Sequence, residues 1–167
     1  MDKSPDKKLY CSLTVALDTI GDVWASLILR DLMIFGGRRR FEQLREALGI
    51  SRNILTDRLN TLLDQGIVFK IPVEEGAKRM EYKLSAKGWD LLPMLLAMHQ
   101  WSERWREDPL NSELKFVDKA SGEEIAQVDI YSRNGRLLSP NEIGIEPRTP
   151  KAQKYLEDFK SEPNNSP

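Results

Sequence analysis

Between Ser51 and Thr61 the sequence SRNILTDRLNT interleaves apolar residues with short polar ones. Asn53, Thr56, Asp57, Asn60 and Thr61 carry amide, hydroxyl and carboxylate groups, whose donors and acceptors suit the edges of nucleic-acid bases. Arg52 and Arg58 add guanidinium forks that fit phosphate or guanine. If the stretch is helical, Leu55, Leu59, Leu62 and Leu63 form one apolar stripe and the polar set lies opposite. A solvated surface helix has the same pattern, so the segment alone leaves both readings open. Upstream, Arg38, Arg39 and Arg40 form a basic run that suits a sugar-phosphate backbone, or plain solvation. Lys78 and Arg79 add two more cations, beside Glu74 and Glu75, which would repel phosphate.

Two other side chains have the chemistry for reactions. Cys11 is the only cysteine and His99 the only histidine. A sensor thiol needs exposure and a depressed pKa; Lys7 and Lys8 lie near Cys11, and a helix begins just after it. The other reading is a buried, inert thiol. His99 sits in a run crowded with Leu, Met and Trp, which favours a packed histidine over a catalytic one. There is no phosphate loop, dinucleotide fingerprint or metal-ligand cluster, so the sequence predicts no enzyme, no cofactor and no metal site.

The elements that must position these residues follow from periodicity. Thr14 to Phe35 has helical spacing, with Gly21 a weakening but permitted residue, and Gly36-Gly37 stops it. RRRFEQLREAL predicts a short helix ended by Gly49. Ser51 is a good N-cap for the next helix, and the N-terminus it caps favours a phosphate. Gly66 closes that helix. IVFKIPV and RMEYKLS then read as strands joined by a turn through EEGAK. From Ser85 a helix runs to about Glu107, with Leu95, Met98, Trp101 and Trp105 on one side; Pro93 requires a kink or a first-turn position. Beyond Pro109, alternating segments separated by Ser121-Gly122 and Asn134-Gly135 predict a small β-meander. KAQKYLEDFK allows one or two helical turns.

The expected organisation is a flexible tail over 1–10, a main domain over 11–108, a β-rich extension over 109–149 and a mostly disordered tail over 150–167. With a formal net charge of −1, nucleic-acid binding must rest on local charge. The single cysteine excludes an intrachain disulfide and fits a reducing compartment. With no apolar run of spanning length and a polar start, the expectation is a cytoplasmic protein without membrane contact.

The order long helix, short helix, glycine turn, capped helix and hairpin is that of a winged helix-turn-helix, in a mainly α chain with a little β. From Cys11 to Trp105 the sequence resembles the HxlR family of bacterial transcriptional regulators. CSLTVALDTIGDVWASLILRDL, RRRFEQLREALGISRNILTDRLNTLLDQGIV and RMEYKLSAKGWDLLPMLLAMHQW carry the resemblance. Ser12 stands where the family often has Pro, and Val23 where a basic residue is common. The resemblance implies a homodimer built from the first and last core helices, placing Leu17, Trp24, Leu95, Met98, Trp101 and Trp105 at the interface. It implies that the helix from Ser51 reads double-stranded DNA, with the wing beside it. Some members sense oxidants or electrophiles through an N-terminal cysteine, the position Cys11 matches. Some carry a metal-ribbon extension; here that segment has no Cys or His. The binding residues expected are thus Arg38, Arg39, Arg40, Ser51, Arg52, Asn53, Thr56, Arg58, Lys78 and Arg79. A small-molecule effector between the dimer helices and the extension is a further reading. A winged-helix protein-interaction module without DNA function is the alternative.

Overall fold

The computed structural model describes residues 11–105 and 114–161. The expected tail at 1–10, the boundary at Pro109 and residues 162–167 lie outside that set. The described residues divide into two compact units, one from Ala16 to Val128 and one that takes Cys11–Val15 with the chain from Asp129 onward.

The apolar run near the N-terminus is two helices rather than the single one expected. Helix α1 (Ser12–Ile20) and helix α2 (Val23–Ile34) meet at 78°. Gly21 N–H donates to Leu17 C=O at 2.9 Å, closing α1. Asp22 then opens α2: its carboxylate accepts from the backbone N–H groups of Trp24 at 2.8 Å and Ala25 at 3.0 Å. A glycine followed by a capping aspartate ends one helix and starts the next, which a simple reading of apolar spacing passes over. Ser26 Oγ donates to Ile20 C=O at 2.8 Å across this elbow. No single helix among the described residues is long and apolar enough to cross a membrane.

Arg38–Arg40, expected as a basic approach to a helix, forms strand β1. It is followed by α3 (Phe41–Leu48), α4 (Arg52–Asp64), β2 (Val68–Pro72) and β3 (Met80–Leu84). The sheet is three-stranded and antiparallel in the order β1-β3-β2. Arg39, Tyr82 and Lys70 share one cross-strand row; Arg38, Lys83 and Phe69 share the next. The predicted hairpin is therefore present and gains a third strand.

The core joins these elements. Ile28, Leu29 and Leu32 of α2, Leu44 of α3, Leu55, Leu59 and Leu62 of α4, and Val68 of β2 are fully buried. Gly37 lets the α2–β1 turn form with φ 84° and lies so close to the Trp89 ring that a Cβ would sit 2.7 Å from it.

The helix expected from Ser85 is interrupted. A single turn, α5 (Ala86–Trp89), precedes α6 (Leu92–Trp105), and Pro93 falls in the first turn of α6, where its missing N–H costs no helical bond. Leu91 and Leu95 are half-buried against the core, whereas no residue of α6 is fully buried. Residues 114–128 group with this unit. The Gln100 amide donates to Ala126 C=O at 3.1 Å and accepts from Val128 N–H at 2.7 Å, so one side chain pairs with backbone as a neighbouring strand would. The His99 ring meets Phe116 edge-on at 5.0 Å, and its Nε2 lies 3.2 Å from Glu103.

The β-character expected beyond Pro109 is confined, among the described residues, to two isolated antiparallel bridges, Val117–Glu124 and Tyr131–Leu137. The turns themselves are where the glycine dipeptides placed them, with Gly122 at φ 74° and Gly135 at φ 82°. In the second unit, where KAQKYLEDFK allowed one or two helical turns, helix α7 runs over Pro150–Ser161.

Gly88 faces backbone: a Cβ there would lie 2.5 Å from the carbonyl oxygen of Ile67. Gly88→Ala should cost about 1–3 kcal/mol by overpacking, while Gly144→Ala, with nothing within 4 Å, should stay within about 0.5 kcal/mol. Denaturant unfolding of the two variants checks the contrast; equal midpoints would contradict it.

Candidate nucleic-acid interface

Helix α4 is fixed at both ends and along one side. Gly49, at φ 63°, turns the chain out of α3, and Ile50 is buried behind it. Ser51 caps α4 as expected, its Oγ accepting from Ile54 N–H at 3.3 Å. With Leu55, Leu59 and Leu62 buried, the opposite face presents Arg52, Asn53, Thr56, Asp57 and Asn60 to solvent. Thr61 is half-buried, and its hydroxyl donates back to Asp57 C=O at 3.2 Å, so it belongs to the helix backbone rather than the open face.

The segment Gly36–Arg58 has six arginines against three carboxylates, hence the local basicity read from sequence. The structure adds how these charges are arranged. Arg52 pairs with Glu42 and lies 5.0 Å over the Phe41 ring. The other carboxylate oxygen of Glu42 accepts from Arg45 Nε at 2.7 Å. Arg38 reaches Glu81 of β3 at 3.4 Å. The guanidinium of Arg39 stacks 3.4 Å over Phe35. Arg40 is exposed, and its backbone N–H donates to Gln43 at 3.0 Å, opening α3. Arg58 turns toward Asp22, with Nε 3.1 Å from its carboxylate, and its Nη1 donates to Asp57 at 2.8 Å.

Lys78 and Arg79 are exposed in the turn between β2 and β3. That turn is closed by Val73 N–H on Arg79 C=O at 3.0 Å and Ala77 N–H on Glu74 C=O at 3.0 Å. Glu74 and Glu75 share the tip and are exposed as well. Among the interface residues expected from the helices, Leu17, Met98, Trp101 and Trp105 are exposed, whereas Trp24 and Leu95 are half-buried against the core. Cys11 is exposed immediately before α1, its carbonyl accepting from Val15 N–H at 3.3 Å.

Residues 19–109 match the family model described as HxlR-like helix-turn-helix. The chain belongs to this family. The HxlR-like part is a winged helix-turn-helix: α3 and α4 are its helix pair and β2–β3 its wing. An uncharacterized HTH-type transcriptional regulator of Mycobacterium tuberculosis is 32% identical over 79% of this chain and 82% of its own length. Among solved structures, the proposed transcription factor PA1607 superposes with a TM-score of 0.75 at 33% identity, covering 84% of this chain and 96% of that one. The redox regulator HypR in its oxidized form superposes at 0.52 with 29% identity, over 59% of this chain and all of its own. The span shared with PA1607 is too long for the helix-turn-helix part alone, so the likeness continues past α6.

Two site residues escaped the sequence reading, Asp22 and Glu42. Both had local signals: an aspartate after a glycine at a helix start, and a Glu three residues before an Arg. The hydrogen bond from Arg45, followed by the Arg52 pair, holds the Glu42 carboxyl below its ordinary value of 4.5. Because the folded value is the lower one, the contribution of Glu42 is fully present above the ordinary value and is lost as pH falls through the folded value. Glu42→Gln should thus lower the Tm at neutral pH, and the gap to wild type should close on acidification below about 4.5. A pH-independent gap would contradict this origin.

Proposed function

We propose that this chain is a sequence-specific DNA-binding transcriptional regulator that acts as a homodimer on a pseudo-palindromic operator. The observation that carries the reading is the outward face of α4. Asn53, Thr56 and Asn60 stand exposed on a capped helix whose other side is locked into the core. Asn side chains can make bidentate contacts to adenine, and a helix of this width enters the major groove. Arg38, Arg40, Lys78 and Arg79 flank that helix in the sequence and lie exposed, suited to phosphate contacts. Two-fold symmetry would then set half-sites about 10 bp apart or a multiple of that. The dimer is supported by exposed Met98, Trp101 and Trp105 on α6 together with Leu17 on α1, large apolar side chains whose hydration a partner copy would relieve.

The pair of Arg52 with Glu42 joins exposed groups, so phosphate can displace that carboxylate at little cost. Asn53→Ala should weaken operator binding by about 1–3 kcal/mol while leaving binding to unrelated DNA unchanged. Arg38→Ala should weaken binding to every sequence and reduce the salt slope by about one. Titrations over a series of salt concentrations distinguish the two, and sedimentation of the wild-type protein should give a dimer. Salt-independent or absent DNA binding would favour the protein-interaction module, for which the acidic wing tip speaks.

Exposure of Cys11 at the start of α1 supports redox or electrophile gating as a second reading, and HypR is named as a redox regulator. Quantitative alkylation should then alter operator affinity in the wild type and not in Cys11→Ser. An unchanged affinity after modification of the wild type would sink that reading.

A further inference from the structure

We propose that Arg58, although it lies on α4, is a positioning residue that locks the DNA-reading helix to the α1–α2 elbow through Asp22, rather than a contact to DNA. The inference rests on the reading of α4 given above. Its basis is the direction of the side chain. The Asp22 oxygen Oδ1, which caps α2 by accepting from Trp24 and Ala25, lies 3.1 Å from Arg58 Nε. That Nε is buried and makes no hydrogen bond, so the Asp22 carboxylate beside it compensates its charge as an ion-pair partner. The outer edge of the guanidinium is taken by Asp57, with Nη1 at 2.8 Å from its carboxylate. The Arg58 side chain is 34% exposed, against 65% for Arg52 on the same helix. An arginine reading bases or phosphates needs its fork turned outward; here the fork is bracketed by two carboxylates and its inner nitrogen faces the core side.

The consequence is mechanical. One carboxylate both starts α2 and holds α4, and α2 begins where α1 turns away at 78°. The angle at which Asn53 and Thr56 meet a groove therefore depends on the elbow. Loss of the pair should lower discrimination between operator and unrelated DNA without changing the number of phosphates contacted.

The test is a double-mutant cycle on the full chain, using Arg58→Ala and Asp22→Asn, because Asn retains the cap while removing the charge. Operator affinity and salt slope are measured for each protein, with thermal unfolding in parallel. Each single variant should lose about tenfold in operator affinity, the value expected for a coupling near 1.4 kcal/mol. The double variant should lose no more than the worse single, with the salt slope unchanged throughout. Arg58→Ala reducing the slope by about one would put Arg58 on a phosphate and overturn the inference. Asp22→Asn at wild-type affinity, or additive losses, would overturn it too. Should Arg58→Ala fail to fold, Asp22→Asn together with Arg58→Lys decides: a shortfall in specificity at constant slope supports the pair, and wild-type specificity in both refutes it. Wild-type protein that binds no DNA at any salt would instead remove the functional reading on which the inference rests.

Discussion

The burial of Leu55, Leu59 and Leu62 is the constraint on which the rest of the arrangement depends. All three are essentially inaccessible to water, packed with Ile28, Leu29 and Leu32 of α2 and Leu44 of α3. Burying a leucine side chain contributes about 1.5–3 kcal/mol relative to exposure, so rotating α4 by even part of a turn would forfeit several such terms. With that stripe fixed, the helical period leaves no choice about which residues face outward. Asn53, Thr56 and Asn60 are presented because the leucines are not negotiable, and the face is rigid for the same reason.

Charge organisation is a second layer laid on this frame. The arginines around α3 and α4 do not project as an unscreened patch; Arg38, Arg45, Arg52 and Arg58 each have a carboxylate neighbour. Two kinds of pair are present. That of Arg52 with Glu42 joins exposed groups, costs little to open and keeps the fork in place until a stronger anion arrives, whereas that of Arg38 ends on Glu81, which is buried. The pair of Arg58 with Asp22 includes a buried nitrogen that makes no hydrogen bond, so opening the pair removes the counter-charge beside it. Net charge near zero and a site for a polyanion are thus compatible, since the balance is made locally and can be exchanged locally.

Most of the fold was legible because its signals are local. Ser51 as a cap, Gly49 and Gly66 as helix ends, and the alternation around Val68–Pro72 and Met80–Leu84 each specify an element from a few neighbouring residues. What was less legible depends on contacts distant in sequence. Three arginines in a row do not look like a strand, and become one only because β3 offers Glu81, Tyr82 and Lys83 as partners. Segment 114–128 has the alternation of a strand, yet it makes one isolated bridge, Val117–Glu124, and its Ala126 and Val128 backbone groups pair with the Gln100 side chain. The break at Gly21-Asp22 was written locally and masked by the continuous apolar spacing across it. At the site, the types of the polar residues were apparent in sequence, but not their directions. Asn53 and Arg58 looked equivalent until one was seen to face water and the other Asp22.

An outward helix face held by its own core should read one DNA sequence in preference to others, and a symmetric assembly should read it twice. Selection of bound duplexes from a random pool by the purified full chain measures both properties at once. The expected result is enrichment of a two-fold related motif with half-sites about 10 bp apart or a multiple of that. Recovery of a pool indistinguishable from the input, at salt low enough for any phosphate contact to register, would contradict it.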